Sequence, residues 1–319
     1  MREPLPELIP LEAIWAARTR IANAALRTPL IRLPGTTAPE IWLKLECLQP
    51  VGSFKIRGAR NALGALDPGA LTQGVYTASA GNMALGLAWS ARELGLPCTA
   101  VVPEHAPAAK LSKLEELGAR LVRVAFERWW QVLREHRFEN VEGRFIHPVA
   151  DVAVMAGNGT IGLEILEELP QVDTVLVPFG GGGLSCGIAS ALAGMRSRAQ
   201  VVACEIETAT PLRTSLEAGM PRTVERTPSF VDGIGGVGIL PEMWPLIQRL
   251  IDSDAVVSLT EAANAIRTLV ERVHVVAEGA GAVPVAAALS GRVPGRVICC
   301  VISGGNLDTS VLVEILAGA

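Results

Sequence analysis

Lys55 stands in the stretch Gly52-Ser53-Phe54-Lys55-Ile56-Arg57-Gly58, after an aromatic and between glycines, where a loop gives way to a helix. A lysine opening an amphipathic helix is in most proteins a solvated surface residue. Its amine also has a chemistry of its own. Deprotonated, it adds to a carbonyl to form a Schiff base, and a site that favours the neutral amine over the ammonium makes it a usable base. Three later stretches are small-residue loops that follow apolar runs: Ser79-Ala80-Gly81-Asn82, Gly180 to Gly183, and Ser303-Gly304-Gly305-Asn306.

The stretch Val172 to Ala189 puts a strand, four glycines and a helix together. An anion such as a phosphate can sit on that helix N-terminus while the glycines let the backbone approach it, although a glycine turn without a ligand has the same composition. Two nucleotide alternatives fail on spacing. A dinucleotide fingerprint needs glycines at i, i+2 and i+5, and Ser185 or Cys186 stands at the third place; a P-loop needs Gly-Lys-Ser/Thr, and Leu184 follows Gly183. The Ser79 to Asn82 loop leads into a helix at Met83, so its amides can receive a carboxylate. Ser303, taken alone, reads as a small residue closing a turn, with a hydroxyl able to donate or accept.

In this order, the four stretches resemble the serine/threonine dehydratase (threonine ammonia-lyase) family, the fold type II pyridoxal-phosphate enzymes of the tryptophan-synthase-β type. The resemblance runs from Thr28-Pro29-Leu30 to Asp308. It implies pyridoxal 5'-phosphate as cofactor, with Lys55 as its Schiff-base lysine and Phe54 packed against its ring. It further implies that Asn82 bonds the 3'-oxygen, that Gly180, Gly181, Gly182 and Gly183 with Leu184 hold the phosphate, and that Ser303 faces the ring nitrogen. By the same likeness Gly233, Gly235 and Gly236 lie near the ring's other face, and Ser79, Ala80, Gly81, Asn82 and Met83 line the substrate. Glu278 matches a glutamate near the cofactor, though its residues read equally as a solvated helix N-terminus.

The departures carry information. Ala80 replaces the serine that serves racemases of this family as a second acid/base, so efficient racemisation is not expected. Met83 stands where histidine is frequent, which would enlarge or dry the substrate pocket. Glu205 and Ala209 match two ligands of a structural cation, but Pro211 occupies the place of a second carboxylate, and losing one anionic oxygen weakens a hard-cation site. A tight metal site is therefore not expected. The resemblance implies β-eliminating deamination of a small L-3-hydroxy amino acid, threonine or serine, to a 2-oxo acid and ammonia. Alternatives are a dehydratase of a bulkier substrate such as hydroxyaspartate or phenylserine, a β-replacement lyase, or a cofactor-binding protein without turnover. Phe54 and the four-glycine run argue for the dehydratase. The family implies a homodimer, and the short stretch after Leu312 leaves no room for a regulatory domain, so isoleucine inhibition is not expected.

These motifs need a scaffold. The chain has 319 residues, 50% hydrophobic and 19% charged, enough for one large or two ordinary domains. A formal charge of -4 and 4% aromatic content give no footprint for nucleic acid. No run approaches the ~18 apolar residues of a membrane span, and Met1 to Pro10 lacks the pattern of a signal peptide, so a cytoplasmic location is expected. The six cysteines are scattered, and Cys299-Cys300 is most simply one strand's two faces. Periodicity predicts helices over 11–26, 55–65, 83–94, 110–117, 126–138, 158–169, 185–193, 261–272 and 279–289. It predicts strands over 41–45, 74–78, 98–102, 121–124, 172–177, 200–204 and 297–302. Residues 206–240, rich in Thr, Pro and Gly, read as a long irregular connection, and Trp129-Trp130 as domain packing rather than substrate contact. The alternation of strand and helix predicts an α/β fold of two three-layer αβα domains with mostly parallel twisted sheets. Residues 1–73 and 150–319 form the larger, cofactor-binding domain in this reading, and 74–149 a smaller inserted one.

Overall fold

Strands and helices alternate along the chain, and the computed structural model, which describes residues 5–36 and 38–318, gathers the strands into two sheets. Residues 1–4, Thr37 and Ala319 lie outside the described residues. The first part of the chain gives α1 (Leu11–Ile21), β1 (Leu30–Arg32), β2 (Glu40–Lys44) and α2 (Lys55–Gly64). Next come β3 (Val75–Ala78), α3 (Asn82–Glu93), β4 (Cys98–Pro103), α4 (Ala108–Glu116), β5 (Arg120–Val124), α5 (Phe126–Glu135) and β6 (Arg144–Phe145). The remainder gives α6 (Val152–Glu168), β7 (Thr174–Pro178), α7 (Gly183–Gly194), β8 (Gln200–Ile206), α8 (Pro211–Ala218), α9 (Trp244–Leu250) and β9 (Ser253–Val257). It closes with α10 (Leu259–Val273), α11 (Gly279–Leu289), β10 (Val297–Val301) and α12 (Thr309–Ala317).

The larger sheet has six strands in the order β1-β2-β10-β7-β8-β9, parallel except where β1 pairs with β2. The smaller has four, β5-β4-β3-β6, all parallel. Strands covered on both faces read as unbroken apolar runs, and β3 and β7 are buried at every position. Cys299 and Cys300 enter the apolar clusters on opposite faces of the larger sheet, as alternation along a strand requires.

Helices α2, α3, α6 and α7 cross at glycines. A Cβ on Gly157 of α6 would lie 2.4 Å from the Arg57 carbonyl oxygen, and one on Gly187 of α7 would lie 2.4 Å from that of Met155. On Gly86 of α3 it would approach the Ile56 nitrogen to 3.1 Å. Backbone thus rests on backbone around the start of α2, where Lys55 sits.

A buried charge network lies beneath that start. Arg57 Nε donates to Glu46 at 2.7 Å and its Nη1 to Glu164 at 2.7 Å, while Lys44 pairs with Glu164 at 2.6 Å. All four residues are buried. The nearby backbone is drawn in as well: Arg57 and the Gln49 amide donate to the Leu26 carbonyl, and Lys44 to that of Thr28. Glu46 is held as a carboxylate, below the usual range, because the opposing pull of Arg57, Thr28 and Lys44 overcomes its burial.

One departure from the sequence reading lies beside this network. The helix expected over 11–26 stops at Ile21, and the Leu26 amide, which a longer helix would bond to a carbonyl one turn back, donates instead to the Gln49 side chain at 2.8 Å. Three other departures have local causes. The helix expected from Asn158 begins at Val152, where Asp151 accepts the amides of Ala153 and Val154 as an N-cap. The helix expected to reach Phe138 ends at Glu135, with His136 left-handed at φ 55°. The stretch 206–240 contains α8, which opens on Pro211 at its first position, a favoured place for proline.

Removing one partner of a buried ion pair leaves the other uncompensated, at a cost of roughly 3–5 kcal/mol. Arg57→Ala is therefore expected to lower the urea midpoint sharply. Gly157→Ala should do so without changing any charge, by forcing α2 and α6 apart.

Candidate active site

Lys55 is the first residue of α2, and its Nζ donates to the Pro148 carbonyl at 2.9 Å. The amine lies 5.1 Å from the centroid of the Phe54 ring. The side chain keeps some surface, yet its surroundings push the amine pKa down to about 8, chiefly by desolvation and against the opposing pull of Glu278. Near neutral pH an appreciable fraction of this lysine is therefore nucleophilic.

Pro148 connects Lys55 to the glycine loop. A Cβ on Gly181 would lie 2.9 Å from a Val149 methyl, and one on Gly183 2.9 Å from the Val149 carbonyl oxygen. Gly182 is left-handed at φ 95° and precedes α7. The first helical bond there runs from the Cys186 amide to the Gly182 carbonyl, so the amides of Gly183, Leu184 and Ser185 precede the ladder and face a potential anion. On the loop's other side Gly180 lies against Gly233 and Ile234, and Gly236 lies near the Gly180 carbonyl.

Two distant segments close the site. The Phe54 amide donates to the Ser303 carbonyl at 2.9 Å, the Gly305 amide to that of Gly52 at 2.8 Å, and Ser53 bridges Gly304. Ser303, 3% exposed at the end of β10, is thereby brought beside Phe54 and Lys55. Asn82 opens α3, and its Nδ2 donates to both oxygens of Glu278, at 2.8 and 3.1 Å, while its Oδ1 accepts from Asn306 at 2.8 Å. Burial pushes Glu278 up to about 7, and the Asn82 hydrogen bond opposes that rise. Glu278 is buried, not solvated.

A small cavity of about 70 Å³ is lined by Gly81, Asn82, Lys110, Gly233 and Glu278. A larger one of about 510 Å³ shares Lys110, Glu278 and Asn306 with it but extends toward α12, away from Lys55. The smaller cavity holds the loop expected to receive a carboxylate. Ser79 steadies that loop by accepting the Gly81 amide at 3.2 Å, and Ala80 presents only a methyl. Met83 is placed otherwise than expected. One position beyond Asn82 on a helix is about 100° around the axis, and this turns Met83, 2% exposed, into the core between α2 and the smaller sheet.

These residues fit a phosphorylated aldehyde. The donor set combines a desolvated amine, a helix N-terminus behind glycines, an apolar ring face from Phe54, and polar groups from Asn82 and Ser303. Three contributors were not apparent from the sequence: the Pro148 carbonyl, Asn306 and the ion network under α2. Only Arg57, two residues after Lys55, signalled the last of these.

Glu205 is the last residue but one of β8, and its two oxygens accept the amides of Leu212 and Arg213, at 2.8 and 2.9 Å, in the first turn of α8. Its carboxylate thus serves as a helix cap. Ala209 forms the tight turn before that helix. Among the described residues no group of three or more His, Cys, Asp or Glu side chains could hold a metal. Burial pushes Glu205 up to about 7 from 4.5, so folding favours its neutral form. Its stabilising contribution is complete below about 4.5 and lost as pH rises through about 7. Urea melts of Glu205→Gln should accordingly show a shallower loss of stability over that window than wild type.

Comparison with known proteins agrees with this arrangement. Residues 21–304 match the family model described as pyridoxal-phosphate dependent enzyme. The L-threonine ammonia-lyase of Thermotoga maritima is 40% identical over 316 residues, covering 97% of this chain and 78% of that protein. Maize serine racemase superposes with a TM-score of 0.87 at 31% identity, covering 97% of each chain. The threonine deaminase isoform 2 of Solanum lycopersicum, in its processed form, superposes at 0.86 with 28% identity, covering 97% of this chain and 87% of that one. A desolvated lysine beside a glycine-headed helix, in a fold shared along nearly the whole chain, leads to one conclusion: this protein belongs to the pyridoxal-phosphate dependent enzymes.

Proposed function

We propose that this enzyme is an ammonia-lyase that removes water from L-threonine or L-serine, giving a 2-oxo acid and ammonia. The observation that carries the reading is the desolvated Lys55 amine, tied to Pro148 and set beside the Gly180 to Gly183 loop. Similarity to a threonine ammonia-lyase and a threonine deaminase supports it.

When bound, pyridoxal phosphate supplies an electron-withdrawing ring that acidifies the α-carbon of an attached amino acid. The amides at the head of α7, with Leu184, would hold its phosphate, Phe54 would cover a ring face, and Asn82 and Ser303 would supply polar contacts. Gly235, left-handed at φ 76°, belongs to the loop beside Gly180. Lys55 would be the residue whose amine holds the cofactor, and its free amine would be the base placed to take the α-proton. Its hydrogen bond to Pro148 orients the amine. Ser79, Gly81 and Asn82 at the head of α3 hold the substrate carboxylate, and Glu278 and Asn306 fix the Asn82 amide.

The likeness to maize serine racemase raises a second reading. Ala80 argues against it, since a methyl on the substrate loop cannot deliver a proton to the opposite face of the α-carbon. Met83 gives no support to hydroxyaspartate or phenylserine as substrate, because its side chain is turned into the core. The separate sheets support the division into a larger part, 1–73 and 150–319, and a smaller inserted part, 74–149. All six cysteines are buried free thiols, in keeping with a reducing cytoplasm. The homodimer rests on the family alone.

Keto-acid formation from L-threonine and L-serine, against their D-forms, tests the activity. Lys55→Ala should lose at least a hundredfold in turnover, roughly the lower range of a proton-transfer contribution. D-serine formation should be negligible beside pyruvate. Because the neutral amine is required, cofactor uptake by the apo-protein should accelerate as pH rises through about 8.

A further inference from the structure

His147 lies one residue before the carbonyl that receives Lys55, and the chemistry above makes no use of it. Its side chain is buried. Nδ1 accepts two backbone amides, from Val149 at 2.9 Å and Ala150 at 2.8 Å. A ring nitrogen that accepts carries no proton, so the proton resides on Nε2, which lies 3.2 Å from the Leu133 carbonyl and donates to it. The ring is held edge-on to Phe145, with centroids 5.8 Å apart, and lies 4.2 Å from the ring of His136, which itself contacts Glu242.

The same pattern recurs four residues later, where Asp151 Oδ1 accepts the amides two and three residues on, from Ala153 and Val154. Residues 147–154 are thus two successive turns, each held by a side-chain acceptor. The second starts α6. The first carries the Pro148 carbonyl to Lys55 and the Val149 side chain to Gly181, with the Val149 carbonyl against Gly183.

We infer that His147 is a positioning residue for the reactive lysine: its unprotonated Nδ1 holds the turn that aims the Pro148 carbonyl at Lys55 and seats Val149 against the glycine loop. One turn then sets the relative placement of the amine and the anion site. The inference rests on the reading of Lys55 as the reactive amine.

Two holoenzyme variants test it. His147→Phe keeps a ring and removes both nitrogens; His147→Asn restores a short acceptor of the kind Asp151 supplies. His147→Phe should lose roughly ten- to a hundredfold in kcat with KM little changed, as displacement of a reacting group by about an ångström does. His147→Asn should recover most of that loss. Independently of turnover, amide exchange at Val149 and Ala150 should quicken in His147→Phe and not in His147→Asn. Nitrogen NMR of the wild-type imidazole should show a bare Nδ1 and a protonated Nε2. Unchanged kcat in His147→Phe, equal impairment of both variants, or a protonated Nδ1 would each overturn the inference. If the wild type deaminates no 3-hydroxy amino acid, the proposed function fails, while the exchange and NMR results still decide what holds the turn.

Discussion

The arrangement depends on the buried quartet of Lys44, Glu46, Arg57 and Glu164. Such a cluster is weak as a source of stability, since apolar residues of the same shape do as well or better. What it imposes is register. Arg57 is planar and presents fixed donors, so Glu46 and Glu164 must sit where its fork points. Arg57 lies on the first turn of α2, Glu46 follows β2, and Glu164 belongs to α6. The position of Lys55, two residues earlier, is thereby referred to β2 of the larger sheet and to a neighbouring helix at once.

Glycine contacts complete that frame. With α6 pressed on α2 and α7 pressed on α6, little freedom separates the helix that starts at Lys55 from the helix whose head receives an anion. The distance between the two chemical groups is set by packed backbone, which is stiffer than any pair of side chains. The 147–150 turn then works on a finer scale, fixing where the lysine tip points within a distance already determined.

Much of the architecture was legible because parallel strands buried on both faces write themselves as apolar runs. Cys299 and Cys300 could be assigned to opposite faces from alternation alone. The edges were harder. β1 and β6 are two or three residues long, too short for periodicity, and α8 hides in a Thr- and Pro-rich stretch whose composition resembles a loop. The site divides the same way. Lys55, Asn82, the glycines and Ser303 have side chains or absences of side chain that advertise their chemistry, and the structure brings them together. Pro148 contributes only a carbonyl, which every residue has, so no residue type could point to it. Glu164 and Glu167 stand three residues apart on one helix, and only the fold separates the buried Glu164 from Glu167, which pairs with Arg18 and Arg27 at the surface.

The pairing of residues 51–54 with 303–306 has a consequence for the order of events during synthesis. Asn306 donates to the Val51 carbonyl across 255 residues of chain, and the lysine loop has its final shape only when that late segment docks. A nascent chain that has emitted Lys55, the glycine loop and α7 still lacks the wall that carries Ser303 and Asn306. A cofactor site that includes Ser303 is therefore complete only after that segment has docked. A ligand that binds the native state and not its precursors draws the folding equilibrium toward completion by mass action. Cofactor binding would then add to the stability of the folded chain as well as to its activity.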